Sequence, residues 1–169
     1  MIGREGLHRS VLVEIFHTAG ATDARSYIST GNVSFSGRPL ELAAITSRVE
    51  ERIAEVIGRL EPVFVRSVDY LNKLVASEPF SSSPFPDPVE RTVSFTQTPI
   101  EPGDIGFPVW SHRTDVALFH ATAGEVFAVG HLVDGTVGGG GGLVERTIGQ
   151  AVTTRSWNTV LRVVADSGP

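Results

Sequence analysis

Apolar residues recur at helical spacing over residues 7–19, where Val11, Leu12, Ile15, Phe16 and Ala19 share one face and Gly20 stands at the end. The pattern then changes period. Arg25-Ser26-Tyr27-Ile28 reads as a strand, Ser29-Thr30-Gly31-Asn32 as a turn, and Val33-Ser34-Phe35 as the returning strand. Gly31 and Asn32 supply the positive φ that a tight turn demands. The strongest helical stripe runs through residues 39–60, on Leu42, Ile45, Val49, Ile53 and Val56, widened by Ile57 and Leu60. Pro39 suits its first turn, where a missing N–H costs nothing. Val63-Phe64-Val65-Arg66 predicts a short strand, and Ser67 predicts the cap of a helix through Ala76 with Val68, Leu71, Leu74 and Val75 inward.

Residues 79–88 carry four prolines and three serines, a composition that excludes helix and central strand. This loop divides the chain into an expected first subdomain at 1–76 and a second at 77–169. Strands are expected at 92–96, 116–120 and 125–129, with an irregular connection at 99–108. A five-glycine run spans 138–142, a short helix follows at 143–148, and Thr153 or Thr154 is expected to cap a final helix through Ala165. Trp157, Val160, Leu161 and Val164 give that helix its apolar face. The order predicts an α+β fold with antiparallel pairing rather than alternating βαβ units. The first half lacks only a leading strand to be a ferredoxin-like βαββαβ unit, and residues 1–6 are too short and polar to supply much of one.

Composition narrows the chemistry. The chain has no cysteine, which removes disulfides, thiolate metal sites and thiol nucleophiles. No apolar run approaches the roughly 20 residues of a membrane helix, and no apolar leader follows Met1, so a cytoplasmic protein without a membrane partner is expected. A net charge of −5 argues against a broad basic surface for duplex DNA. Lys73 is the one lysine among 14 basic residues. So arginine-rich a cation set reflects either GC-rich coding or oxyanion recognition, which suits the guanidinium fork.

Three places carry candidate chemistry. Thr154, Arg155 and Asn158 gather polar groups at the expected start of the final helix, where Arg155 and Asn158 share a face and fit a carboxylate, phosphate or base edge. The alternative there is architectural: threonine caps and a packed Trp157. Ser29 and Asn32 present amides and hydroxyl in a compact corner, or simply make a turn. Arg25 and Tyr27 alternate onto one strand face and, with Arg66 on another strand, resemble the open sheet of a single-strand RNA reader. The glycine run before a helix suggests an anion cradle, although it has no Walker-type lysine, and a flexible connection is the plainer reading. His8, His17, His112, His120 and His131 show no metal-ligand spacing and read as isolated surface or core residues. Glu101, Asp104 and Asp115 read as solvated loop carboxylates. No metal and no cofactor are implied.

Two long motifs also carry a family resemblance. Arg25-Ser26-Tyr27-Ile28-Ser29-Thr30-Gly31-Asn32-Val33-Ser34-Phe35 and Thr153-Thr154-Arg155-Ser156-Trp157-Asn158-Thr159-Val160 resemble the signatures of the mainly bacterial family called "domain of unknown function 1697". Val63-Phe64-Val65-Arg66 with Asp69-Tyr70-Leu71, and Glu78-Pro79-Phe80, are similar to its middle region. The resemblance implies paired ferredoxin-like halves and no assigned reaction. Here Thr30 and Ser156 replace the family's usual Ser and Asn, and the family's opening strand motif has no counterpart. The function expected is a non-enzymatic binding module for an anionic ligand, either a nucleotide, a nucleic acid or another phosphate, at the final helix. The alternatives are a small metal-independent enzyme with a cleft between the halves, and an interaction module completed by strand addition, including a homodimer through the incomplete first sheet.

Overall fold

The computed structural model describes residues 6–27, 31–83 and 85–166. The chain divides into two compact units, Met1–Val65 and Arg66–Pro169. Both are mixtures of helix and antiparallel sheet, which is an α+β fold. Residues 1–5, where the expected lack of an opening strand falls, and Ser29 of the turn lie outside the described residues.

In the first unit, helix α1 (Arg9–Thr18) leads into the antiparallel hairpin of β1 (Thr22–Tyr27) and β2 (Asn32–Ser36). A 3-10 turn at Pro39–Glu41 then opens α2 (Leu42–Ile57). Burial follows the helical period. Leu12, Ile15 and Phe16 of α1 meet Ile45, Val49 and Ile53 of α2, and Ala24 joins them from the hairpin. Phe16 and Phe35 close the layer with ring centroids 5.1 Å apart. Helix α2 ends earlier than its apolar stripe suggests. Gly58 takes φ 74°, the left-handed conformation that stops a helix at low steric cost, so Leu60 falls beyond the helix and is 85% exposed.

The strand expected over residues 63–66 does not form. The Val63 N–H donates to the Glu50 carboxylate at 2.9 Å, so that amide is satisfied by α2 and not by a ladder. Val63 packs against the first core as an irregular segment.

The second unit opens with α3 (Val68–Ala76), capped as expected by Ser67, whose Oγ accepts from the Tyr70 N–H at 3.1 Å. Strands β3 (Glu90–Thr96), β4 (Val109–Trp110), β5 (Val116–Ala121), β6 (Glu125–Gly130) and β7 (Val152–Ser156) form one antiparallel sheet in the order β4-β5-β6-β3-β7. Helix α4 (Gly141–Ile148) joins β6 to β7, and α5 (Trp157–Asp166) follows β7 directly. The short strand β4 has no counterpart in the sequence pattern, because two residues are too few for a period.

β7 corrects a further expectation. Thr153 and Thr154 cap nothing, since they pair with Phe95 and Ser94 in the sheet. Their β-branched side chains suit a pleated strand better than a helix start. Ser156 takes the capping role, with its Oγ accepting from the Thr159 N–H at 3.3 Å.

The sheet is covered on both faces, with successive side chains alternating between them. On one face Phe127 is fully buried, with the ring of Phe80 5.7 Å away and that of Trp157 6.3 Å away. On the other, Val116, Leu118, Val126 and Ala128 pack against Val144 of α4. Phe127→Ala is expected to destabilise the protein by about 3–5 kcal/mol, read as a lower urea midpoint, because the aromatic cluster loses its central ring.

Candidate functional site

The structure distributes the candidate residues over both units. In the first, Arg25 stands opposite Ser34 and Tyr27 opposite Asn32, so these side chains share the face of the hairpin away from buried Ala24 and Ser26. Arg25 is exposed and Tyr27 half-buried. Arg66 belongs to the second unit and lies on no strand, which corrects its placement beside Arg25 and Tyr27 on a common sheet face.

In the second unit, Thr154 and Arg155 face opposite sides of the sheet. Arg155 pairs with Val93, on the face of Phe127 and Trp157. Its Nη1 donates to the Thr154 carbonyl at 2.9 Å, and burial pushes the guanidinium below its ordinary pKa. Thr154 pairs with Ser94, and their hydroxyls lie 2.7 Å apart. Asn158 is exposed in the first turn of α5. The polar group contiguous in sequence is therefore split, with Arg155 on the α5 side and Thr154 on the α4 side.

The glycine run packs against the Thr154 face. The Gly138 N–H donates to Asp115 Oδ2 at 2.7 Å. A Cβ built on Gly138 would lie 2.9 Å from that oxygen, and one on Gly141 would lie 2.8 Å from Thr154 Oγ1. These glycines permit a backbone-to-sheet approach that no side chain allows. The anion this segment holds is the protein's own carboxylate. Asp115, expected to be solvated, is 2% exposed and accepts from Ser111 Oγ at 2.6 Å. The Ser111 hydroxyl, then the Gly138 amide, holds Asp115 below the usual carboxylate range.

A second buried carboxylate stands at the start of a strand. Glu125 opens β6 with no exposure to solvent. It accepts from the Tyr70 hydroxyl at 2.7 Å, from Arg66 Nε at 3.4 Å and from the Thr122 hydroxyl. Arg66 also donates to the Thr96 carbonyl at 2.8 Å and the Gly124 carbonyl at 3.2 Å, and lies 5.4 Å from the Phe95 ring centroid. Burial, then the bond to Glu125, pushes the Tyr70 phenol up to about 12. A phenol so placed stays protonated near neutral pH and serves as a donor. Arg66 is thus engaged in a polar clasp between α3 and the β5–β6 turn.

Comparison with known proteins follows this geometry. The model of the family described as "Protein of unknown function (DUF1697)" matches residues 2–124. The chain belongs to that family. No curated protein and no solved structure matches it. In this DUF1697 protein the matched span takes in Arg66, Tyr70 and Thr122 of the clasp and ends one residue before Glu125. The Thr153–Val160 motif lies beyond it.

Among the described residues, no group of three or more His, Cys, Asp or Glu side chains could hold a metal ion. None of their helices is long and apolar enough to cross a membrane.

Two outcomes follow from the glycine run and the clasp. Gly138→Ala and Gly141→Ala should each lower stability by about 1–3 kcal/mol, whereas Gly139→Ala, with nothing within 4 Å of an added Cβ, should change it by less than about 0.5 kcal/mol in urea titrations. The Tyr70 pKa is higher in the folded state, so its contribution is complete below the unfolded value near 10 and disappears as pH climbs toward 12. The melting temperature should fall over that interval, and Tyr70→Phe should flatten this part of the pH profile.

Proposed function

We propose that this DUF1697 protein is a binding module for an anionic ligand carrying phosphate, as a nucleotide or a nucleic-acid strand does, and that Arg155 is its anchor. The observation that carries the reading is the Arg155 guanidinium, kept on a sheet face where burial lowers its pKa, at the junction of β7 and α5. Arginine tolerates such a position because it stays charged, and its planar fork matches a phosphate oxygen pair. Asn158 adds an exposed amide three residues on, at the helix amino end where the backbone dipole favours anions. In this reading Thr154 supports the site from the opposite face through Ser94. Arg25, Tyr27 and Asn32 form a second candidate surface on the hairpin, and Arg66 acts through the clasp and not through ligand.

The sheet order supports a ferredoxin-like second unit. Its four long strands occur in space as second, third, first and fourth, and α4 fills the second crossover. The first crossover holds a 3-10 turn and β4 in place of a helix. In this arrangement α3 and α5 cover the face that open-sheet RNA readers use, which favours a ligand at the edge of α5 over bases stacked across the sheet.

The test is a thermal-shift series with inorganic phosphate, a nucleoside triphosphate and a short single strand. Wild-type protein should gain several degrees with at least one of them. Arg155→Ala should abolish the gain, Asn158→Ala should reduce it, and Arg25→Ala should leave it unchanged. Loss of the gain in Arg25→Ala alone would move the site to the hairpin, and no gain with any ligand would overturn the reading.

A further inference from the structure

Trp110, Ala117, Val129 and Arg91 stand opposite one another in a single row across β4, β5, β6 and β3. Facing residues of an antiparallel ladder share a side, and Val129 puts this row on the side of Phe127, two residues away. Ala117 and Val129 are buried, whereas Trp110 and Arg91 at the two ends of the row are exposed. Phe85 reaches the same end of the sheet from the proline-rich loop. Its ring lies edge-on to Trp110 at 4.8 Å and to His131, just past β6, at 6.1 Å. Beside it, His131 Nε2 is buried and, among the described residues, has no hydrogen-bond partner. An unpaired buried polar atom costs free energy, and a phenyl ring offers it no conventional partner. The loop itself grips the sheet unevenly. Phe80 lies 5.1 Å from the Trp157 ring and 5.7 Å from those of Phe119 and Phe127, so it is held by three aromatics. Near Phe85 the hydrogen bonds are local: the Ser83 N–H donates to the Phe80 carbonyl at 3.2 Å, and the Phe85 N–H to Ser83 Oγ at 3.3 Å. Such local bonding marks a segment that opens at low cost.

We propose that Phe85 is a displaceable plug, and that its seat between Trp110 and His131 takes the base of a nucleotide whose phosphates run along the row to Arg91 and Arg155. This rests on the phosphate reading given above and adds the part of the ligand that reading leaves open. A base replaces the phenyl ring against Trp110 and, unlike it, carries donors and acceptors on its edge, which answer His131 Nε2 in either tautomer. Arg155 stands opposite Val93, two residues along β3 from Arg91 and on the same face, a diagonal over which long side chains meet. Two strand spacings, about 10 Å, separate β5 beneath the seat from Arg91 on β3, a gap that a ribose and its phosphate chain bridge. One aromatic seat holds one base, so the ligand is a nucleotide and not a strand of several stacked bases.

Calorimetric titration of the full chain with each ribonucleoside triphosphate, against inorganic triphosphate, isolates the contribution of the base. At least one nucleotide should bind about tenfold tighter than inorganic triphosphate. His131→Ala should erase that difference and leave inorganic triphosphate unchanged, and Arg91→Ala should weaken both. Phe85→Ala should tighten the nucleotide alone, since the plug no longer has to leave. In the unmodified protein the nucleotide should change tryptophan emission where inorganic triphosphate does not, and the change should vanish in Trp110→Phe. Equal binding of nucleotide and inorganic triphosphate, both lost in Arg155→Ala, overturns the base seat and leaves the phosphate reading standing. Binding of neither overturns both. A nucleotide that leaves Trp110 emission unchanged, or that binds Phe85→Ala more weakly than the unmodified protein, also overturns the seat, because Phe85 then stays in place or forms part of the wall.

Discussion

A carboxylate with no exposure to water persists only if its oxygens are answered by donors, and Glu125 sets this condition for the second unit. Tyr70, Thr122 and Arg66 meet it from two separate elements. Tyr70 can reach only if α3 lies against the β5–β6 turn, and Arg66 only if the chain enters α3 from beside Thr96 and Gly124. The clasp therefore positions the first helix of the unit as well as the turn. Its value lies in geometry more than in net stability, because much of the Coulombic gain of a buried pair is spent on desolvation.

Asp115 applies the same logic at the far end of the sheet. Its carboxylate draws in Ser111 and the Gly138 amide, and so brings the glycine run down onto the strands. Thr154 then meets Gly141 without an intervening side chain. Two buried anions thus organise the two ends of one sheet, each using a different donor set.

The pleat of β7 decides which groups can cooperate. Adjacent residues of a strand project to opposite faces, so Thr154 and Arg155 can never touch the same small ligand. A helix at the same positions would have left them on neighbouring faces of one turn. The exchange of a cap for a strand is a shift of two or three residues in one boundary, yet it redraws the candidate site. The glycine run shows the converse: a stretch that reads as loose connection lies in close contact with the sheet.

The sequence alone determined what depends on neighbours along the chain. The stripes of α1, α2 and α5, the hairpin, the Ser67 cap and the breaking loop at 79–88 follow from spacing, turn chemistry and proline geometry, and the long motifs led to the family. Residues 63–66 had the composition of a strand, but a strand also needs a partner, and Glu50 took the Val63 amide first. Glu125 opens the expected strand at 125–129, but nothing in the sequence marks it as buried until Tyr70, 55 positions earlier, folds against it. Register, the choice of sheet face, the burial of Glu125 and Asp115, and the close approach of Gly138 and Gly141 were decided only by the tertiary structure. The physical reason is that periodicity records which side of an element is apolar, whereas hydrogen-bond partners and close contacts are set by segments far apart in the chain.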